Sequence, residues 1–215
     1  MSVSLISEAV IPSSVGWMEW DVTNHVKDAL YNNLTSLNLL FKIDGIPDEE
    51  NRIVTFWSRD YTTDINLRPQ LIIDGEIKQA LKDTYIENQY PTSNNGISTT
   101  IILRIYHHTT GDFINYGILS FDLNGISSTI NSIFKLYVQN YSFSAGRKIE
   151  VYKLNRPDWV EVEATWNNYK TVTLWTTPGG DYTDISNISE ISTSVIKYPN
   201  SIPIIFPMKI GGLYF

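Results

Sequence analysis

Two segments in the middle of the chain alternate so regularly that they fix the class of fold. "YGILSFDL" (116–123) places Leu119, Phe121 and Leu123 on one side, and "IFKLYVQNY" (133–141) does the same with Phe134, Leu136 and Val138. A period of two belongs to a strand with one buried face, whereas a helix would scatter these side chains around its axis. Further strands are expected at 37–43, 52–58, 68–74, 83–88, 99–106 and 148–154, each short and bounded by polar or Gly/Pro turns. One helix is expected: Thr23 as its cap, running to Asn32, with Val26, Ala29 and Leu30 forming an apolar stripe. Residues 76–82, within "GEIKQALK", read as a linker or one helical turn. The sum is an all-β chain, a two-sheet jelly-roll β-sandwich with one short α-helix.

Composition narrows what such a sandwich can do. With 215 residues and 42% hydrophobic content the chain supports one well-buried core and is short for two ordinary domains. It has no cysteine, so no disulfide or thiolate metal site is available and packing alone must hold the fold. A net charge of −7 argues against nucleic acid as a partner. The N-terminus lacks the basic start and continuous apolar run of a signal peptide, and no segment is apolar for long enough to insert in a membrane.

Several blocks recur together: "GWMEWDVTNHV", "FWSRDY", "RPQLIIDG", "IEVYKLNRPDWVEVEATWNNY" and "WTTPGGDY". In combination they resemble the DNRLRE domain family, jelly-roll modules of bacterial and archaeal cell-surface and secreted proteins. In the order that the resemblance implies, blocks like 83–183 come first and blocks like 1–75 come last. Here the order is reversed. Residues 1–75 then form the back half of such a sandwich, 76–82 a linker, 83–183 the front half, and 184–215 a C-terminal extension. Either the chain is one circularly permuted domain, or it is a window across two tandem copies. A half sandwich would expose an apolar sheet face and unpaired edges, which favours the permuted domain. The resemblance also implies a structural signature of Trp17, Trp20, Asp21, Arg59, Arg68, Trp159, Glu161 and Trp166. In it Trp159 and Trp166 are buried, a carboxylate of the "DWVEVEATW" block pairs with an arginine such as Arg59, and Trp17, Trp20 and Asp21 reach that block.

The two ends of the chain carry similar hexapeptides: "ISEAVI" (6–11) and "ISTSVI" (191–196) share Ile, Ser, Val and Ile. If both encode one strand, a copy is left over, and Ile191, Val195 and Ile196 become candidates for strand exchange between subunits.

Catalytic patterns are thin. No H-E-x-x-H, G-x-S-x-G or P-loop occurs, and the His107–His108 pair points to opposite faces of a strand end. Glu161 and Glu163 on one strand face could flank a glycosidic bond, although alternating charges also arise on any solvated strand. Calcium could bind at Asp181 and Asp184, or at Asp44, Asp48 and Glu49, without an EF-hand spacing. Tyr169, Trp175 and Tyr182 sit in a Thr/Gly/Pro-rich stretch, where exposed rings would stack on sugars; Trp57 and Tyr61, near Arg59 and Asp60, are a second such pair.

Two principal functions follow as expectations. The first is a non-enzymatic structural or adhesive module of an extracellular surface, filament or virion, self-associating or joining a larger assembly, with no cofactor beyond a structural calcium. The second is a carbohydrate-binding module recognising polysaccharide. A polysaccharide hydrolase or lyase is a third reading, requiring Glu161 and another carboxylate in a cleft.

Overall fold

The computed structural model describes residues 5–11, 15–142 and 147–183. Asp184, Ile191, Val195, Ile196 and the rest of 184–215 lie outside the described residues. Twelve strands and one α-helix follow in chain order: β1 (Leu5–Val10), β2 (Gly16–Asp21), α1 (Thr23–Tyr31), β3 (Ser36–Ile43), β4 (Arg52–Trp57), β5 (Gln70–Ile73), β6 (Glu76–Glu87), β7 (Thr100–His108), β8 (Gly111–Asp122), β9 (Ser132–Tyr141), β10 (Lys148–Lys153), β11 (Asn168–Lys170) and β12 (Thr173–Leu174).

All strand pairs are antiparallel, and β1 to β10 form one continuous set in the order β1-β10-β3-β8-β6-β5-β9-β4-β7, with β2 added on β9 and β7 also paired to β8. The path folds over into a sandwich. One wall holds β1, β10, β3 and the second halves of β8 and β6; the other holds β2, β9, β4, β5 and β7. The long strands β6 and β8 join them, because β6 pairs with β5 through residues 76–79 and with β8 through 80–87. Residues 76–82 are therefore strand, not linker or helix. Their alternation is blurred because Ile77 and Leu81 are exposed apolar residues among charged ones.

Strands from before residue 75 pair directly with strands from after residue 83: β2 with β9, β3 with β8 and β10, β4 with β7 and β9. The two stretches thus close on each other within one chain. Between the walls lies the main core, in which Trp20, Phe41, Phe56, Phe121 and Phe134 are fully buried. Each such side chain contributes on the order of 2–3 kcal/mol by leaving water.

Helix α1 closes one end through Val26 and Ala29. Thr23 does not cap it in the expected way: its hydroxyl accepts from Ser132 N at 2.8 Å, while Asp21 Oδ1 accepts from Thr23 N at 2.9 Å. A second apolar cluster covers the outside of the first wall. There Leu40 and Ile118, on the outer faces of β3 and β8, pack under Trp159, Ala164, Tyr169 and Trp175 from the excursion 155–183. Strand β3 is buried on both faces for this reason, its run Leu39–Leu40–Phe41 being apolar without alternation.

Candidate functional site

The outer face of the second wall is the surface on which aromatic side chains collect. In β2 the buried Met18 and Trp20 turn Trp17 and Glu19 outward; in β9 the buried Phe134, Leu136 and Val138 do the same for Lys135 and Tyr137. The register places Trp17 opposite Tyr137 and Glu19 opposite Lys135. The Trp17 and Tyr137 rings meet edge to face, centroids 5.4 Å apart. On the other side of β9, Phe56 pairs with Val138, so the next residue, Trp57, falls beside Tyr137 on the same outward face. A row Trp17–Tyr137–Trp57 thus crosses three strands, spanning about 10 Å at the usual strand spacing.

The loop between β4 and β5 completes the row. Both strands lie on the same side of β9, and residues 58–69 leave the sheet between them. Tyr61 folds back and stacks on Trp57, with centroids 3.8 Å apart and planes 10° from parallel. Arg68 Nε holds this turn by donating to Tyr61 O at 2.7 Å. All four aromatic residues are partly exposed. Lys135 Nζ sits 4.9 Å from the Trp17 ring centroid and 2.7 Å from Glu19 Oε1, which sets a charged pair beside the rings. Flat apolar faces flanked by donors and acceptors are what a sugar chain requires, its C–H faces stacking and its hydroxyls hydrogen-bonding.

The same loop reaches inward at Arg59, and there the carboxylates gather. Arg59 Nε donates to Glu161 Oε1 at 2.7 Å, its backbone N donates to Asp83 Oδ2 at 2.7 Å, and Asp83 N donates to Glu161 Oε1 at 2.7 Å. Carboxylate oxygens of Asp60, Asp83 and Glu161 lie within 4.8 Å of one another, and Asp60 Oδ2 is buried without a hydrogen-bond partner. Burial, reinforced by the neighbouring carboxylates, pushes the Asp83 carboxyl up to about 8; burial raises Glu161 as well. The oxygen set suits a hard cation such as calcium, but one positive group, Arg59, already stands among the three acids. This is a partly buried knot joining the loop, β6 and the excursion, in which Arg59 ties Glu161, not a cleft with two free carboxylates.

The residues singled out in the sequence divide among these places. Tyr169 and Trp175 are buried in the second cluster, and Tyr182 packs against it. Trp175 Nε1 donates to Thr165 O at 2.8 Å, so this trio forms core rather than an exposed strip. Asp181 is spoken for by Arg156 Nε at 2.9 Å and by Thr177 N at 3.0 Å. Asp48 is held by Arg52 and Arg147, and Asp44 accepts from Lys148 N.

Trp20 and Trp159 are both buried but do not meet: Trp20 donates to Ile149 O within the main core, and Trp159 to Asn38 Oδ1 on the far side of the first wall. It is Arg59, not β2, that reaches the "DWVEVEATW" block; Asp21 is exposed and Trp166 half-buried against Tyr116. That block is also not a strand. Ala164 N donates to Val160 O at 2.8 Å in a tight turn, so Glu161 points to Arg59 while Glu163 accepts from Thr171 N. The turn is braced by Asn94, whose Nδ2 donates to both Glu161 O and Ala164 O, and by Gly96, where a Cβ would stand 2.2 Å from Glu161 O.

Tyr137 escaped notice in the sequence although its signal was present. The alternation that buries Phe134, Leu136 and Val138 also exposes Lys135 and Tyr137, and the same parity exposes Trp17.

Among the described residues, no helix is long and apolar enough to cross a membrane. No curated protein and no solved structure gives a significant match to the chain. Residues 77–178, from β6 to the turn after β12, match the model of carbohydrate-binding module family 96; this finding replaces the DNRLRE family that the motif blocks resemble.

Proposed function

We propose that the protein is a non-catalytic carbohydrate-binding module that holds a polysaccharide across the outer faces of β2, β9 and β4. The observation that carries this reading is the match of residues 77–178 to carbohydrate-binding module family 96. The matched stretch contains β9, with Tyr137 and Lys135; Trp17, Trp57 and Tyr61 precede it, on β2, on β4 and in the loop after β4, and come to it because β2 and β4 pair with β9. The row Trp17–Tyr137–Trp57, with Tyr61 stacked at its end, supplies a surface of the kind such binding needs. A row crossing strands favours an extended chain over a single sugar, because successive rings can each meet an aromatic face. Such modules work outside the cell, which makes an extracellular setting the natural one. The family match supports binding over the purely structural or adhesive role, and the tying of Glu161 to Arg59 weighs against a hydrolase or lyase.

The test is affinity electrophoresis and calorimetry against a panel of neutral and charged polysaccharides, with parent, Trp17→Ala, Tyr137→Ala and Trp57→Ala proteins. Tyr31→Ala, at an exposed helical site, serves as control. Each variant in the row is expected to weaken binding by about tenfold, the effect of losing about 1.4 kcal/mol at a central contact. Binding that none of the three changes would place the ligand elsewhere, and no binding across the panel would refute the function.

A further inference from the structure

Beside the aromatic row runs a polar one. Lys135 on β9 lies opposite Glu19 on β2 and, across its other edge, opposite Gln70 on β5. Side chains two apart on a strand share a face, so the row Glu19–Lys135–Gln70 is set about 7 Å from Trp17 and Tyr137 on the same outer surface. Its two ends differ. Gln70 is buried, with Nε2 donating to Asn66 O in the loop at 2.7 Å, whereas the Glu19 side chain is 56% exposed.

Lys135 is held down between them. Its side chain is only 17% exposed, and Nζ stands 2.7 Å from Glu19 Oε1 and 4.9 Å from the centre of the Trp17 ring. A lysine fixed in this way gives up rotamer freedom, and an ion pair with so exposed a partner returns little stability. What the arrangement supplies is a charged donor and a charged acceptor, side by side and pre-organised, at the edge of a stacking surface. An ammonium carries three protons, and among the described residues Glu19 is the one acidic partner of Lys135.

A pyranose laid on Trp17 turns its C–H face to the ring and directs its hydroxyls outward from its rim. Two hydroxyls on neighbouring carbons, in gauche relation, hold their oxygens about as far apart as Nζ is from Oε1. One oxygen can then accept from the ammonium while the other hydroxyl donates to the carboxylate. Hydroxyls on carbons separated by the glycosidic linkage are too far apart to do both.

We propose that Glu19 and Lys135 are the specificity-determining pair of this face, reading a vicinal diol on the sugar stacked against Trp17. The pair acts only if the face holds polysaccharide, as proposed above, and it narrows the ligand to polymers whose inner residues keep two adjacent free hydroxyls. A pair without net charge selects by hydroxyl pattern, because a sugar lacking one hydroxyl leaves one partner of the pair unanswered.

The experiment is affinity electrophoresis of parent, Glu19→Gln, Lys135→Met and Glu76→Gln proteins in gels containing linear xylan, glucomannan or laminarin, and any other polymer of the panel that retains the parent, each also after periodate oxidation and borohydride reduction. Inner residues of xylan and glucomannan keep adjacent free hydroxyls, those of laminarin do not, and periodate cleaves the carbon–carbon bond of a vicinal diol. Retention of the parent should be confined to polymers with adjacent hydroxyls and should be abolished by oxidation. Glu19→Gln and Lys135→Met should each lose about tenfold in affinity. Glu76→Gln opens the Lys78–Glu76 pair, of the same length but away from the row, and should bind as the parent does; all four proteins should melt alike. Laminarin retained as strongly as xylan or glucomannan, retention that survives oxidation, or unchanged affinity in either variant overturns the pair and leaves the binding function standing; the first two outcomes need only the parent protein. Absence of retention by every polymer overturns the binding function, and the pair with it.

Discussion

Replacing Asp83 by Asn should make the protein more stable, by an amount that grows with pH. Asp83 is almost wholly buried, and its carboxyl is pushed up to about 8, first by burial and then by Glu161 and Asp60, against the hydrogen bond from Arg59 N. In the unfolded chain the same group titrates near 4. Between these values the folded state holds a proton that the unfolded state has released, so stability falls as pH rises and levels off above 8. The slope for one proton is about 1.4 kcal/mol per pH unit. Asparagine has nearly the shape of the protonated acid, and its oxygen can still accept from Arg59 N. Parent and Asp83→Asn should therefore be close near pH 4, and between pH 5 and 8 the variant should gain at most about 4 kcal/mol on the parent. Urea unfolding followed by tryptophan fluorescence at unit pH steps measures this, as a midpoint difference that widens at constant slope m. A difference that stays constant from pH 5 to 8 would show that Asp83 does not carry the proton and would refute the reasoning.

Three further outcomes are expected. Burial lowers His25 to about 4, so as pH falls from 6.5 toward 4 the parent should lose stability relative to His25→Gln, and the difference between their urea midpoints isolates this proton from that of Asp83, which both proteins share. Gly117→Ala would place a Cβ 2.3 Å from the Phe41 ring, which Phe56 and Phe134 hemmed in at 6.1 Å prevent from yielding; thermal melting should show a loss of about 1–3 kcal/mol. Trp159→Phe leaves Asn38 Oδ1 without its buried donor and should cost about 1–3 kcal/mol, with polysaccharide affinity unchanged because the second cluster lies on the opposite wall.

What could be read in the sequence was whatever alternation writes locally. Strands β9 and β4 stand where their alternating residues put them, because each has one face in the core and one in water. The first half of β6 was illegible for the opposite reason: Glu76, Ile77, Gln79 and Leu81 are all exposed, so polarity tracks neither face. The knot of Asp60, Asp83 and Glu161 draws on a loop, a strand and a turn more than twenty residues apart at the closest, and no local pattern encodes such a meeting. Trp175 and Tyr169 misled because a stretch rich in Thr, Gly and Pro reads as exposed loop. Here that stretch is folded down as a lid over Leu40 and Ile118, and its aromatics supply the packing that its backbone does not.

The departure of the chain from β9 at Trp57 and its return at Gln70 separates two demands that usually conflict. The strands on either side keep their register against β9 whatever the length of residues 58–69, provided that Arg59 keeps its grip beneath. Insertions and substitutions around Tyr61 can therefore reshape one end of the aromatic row without disturbing the sheet. It is the point at which descendants of this chain could acquire a new ligand while inheriting the same fold.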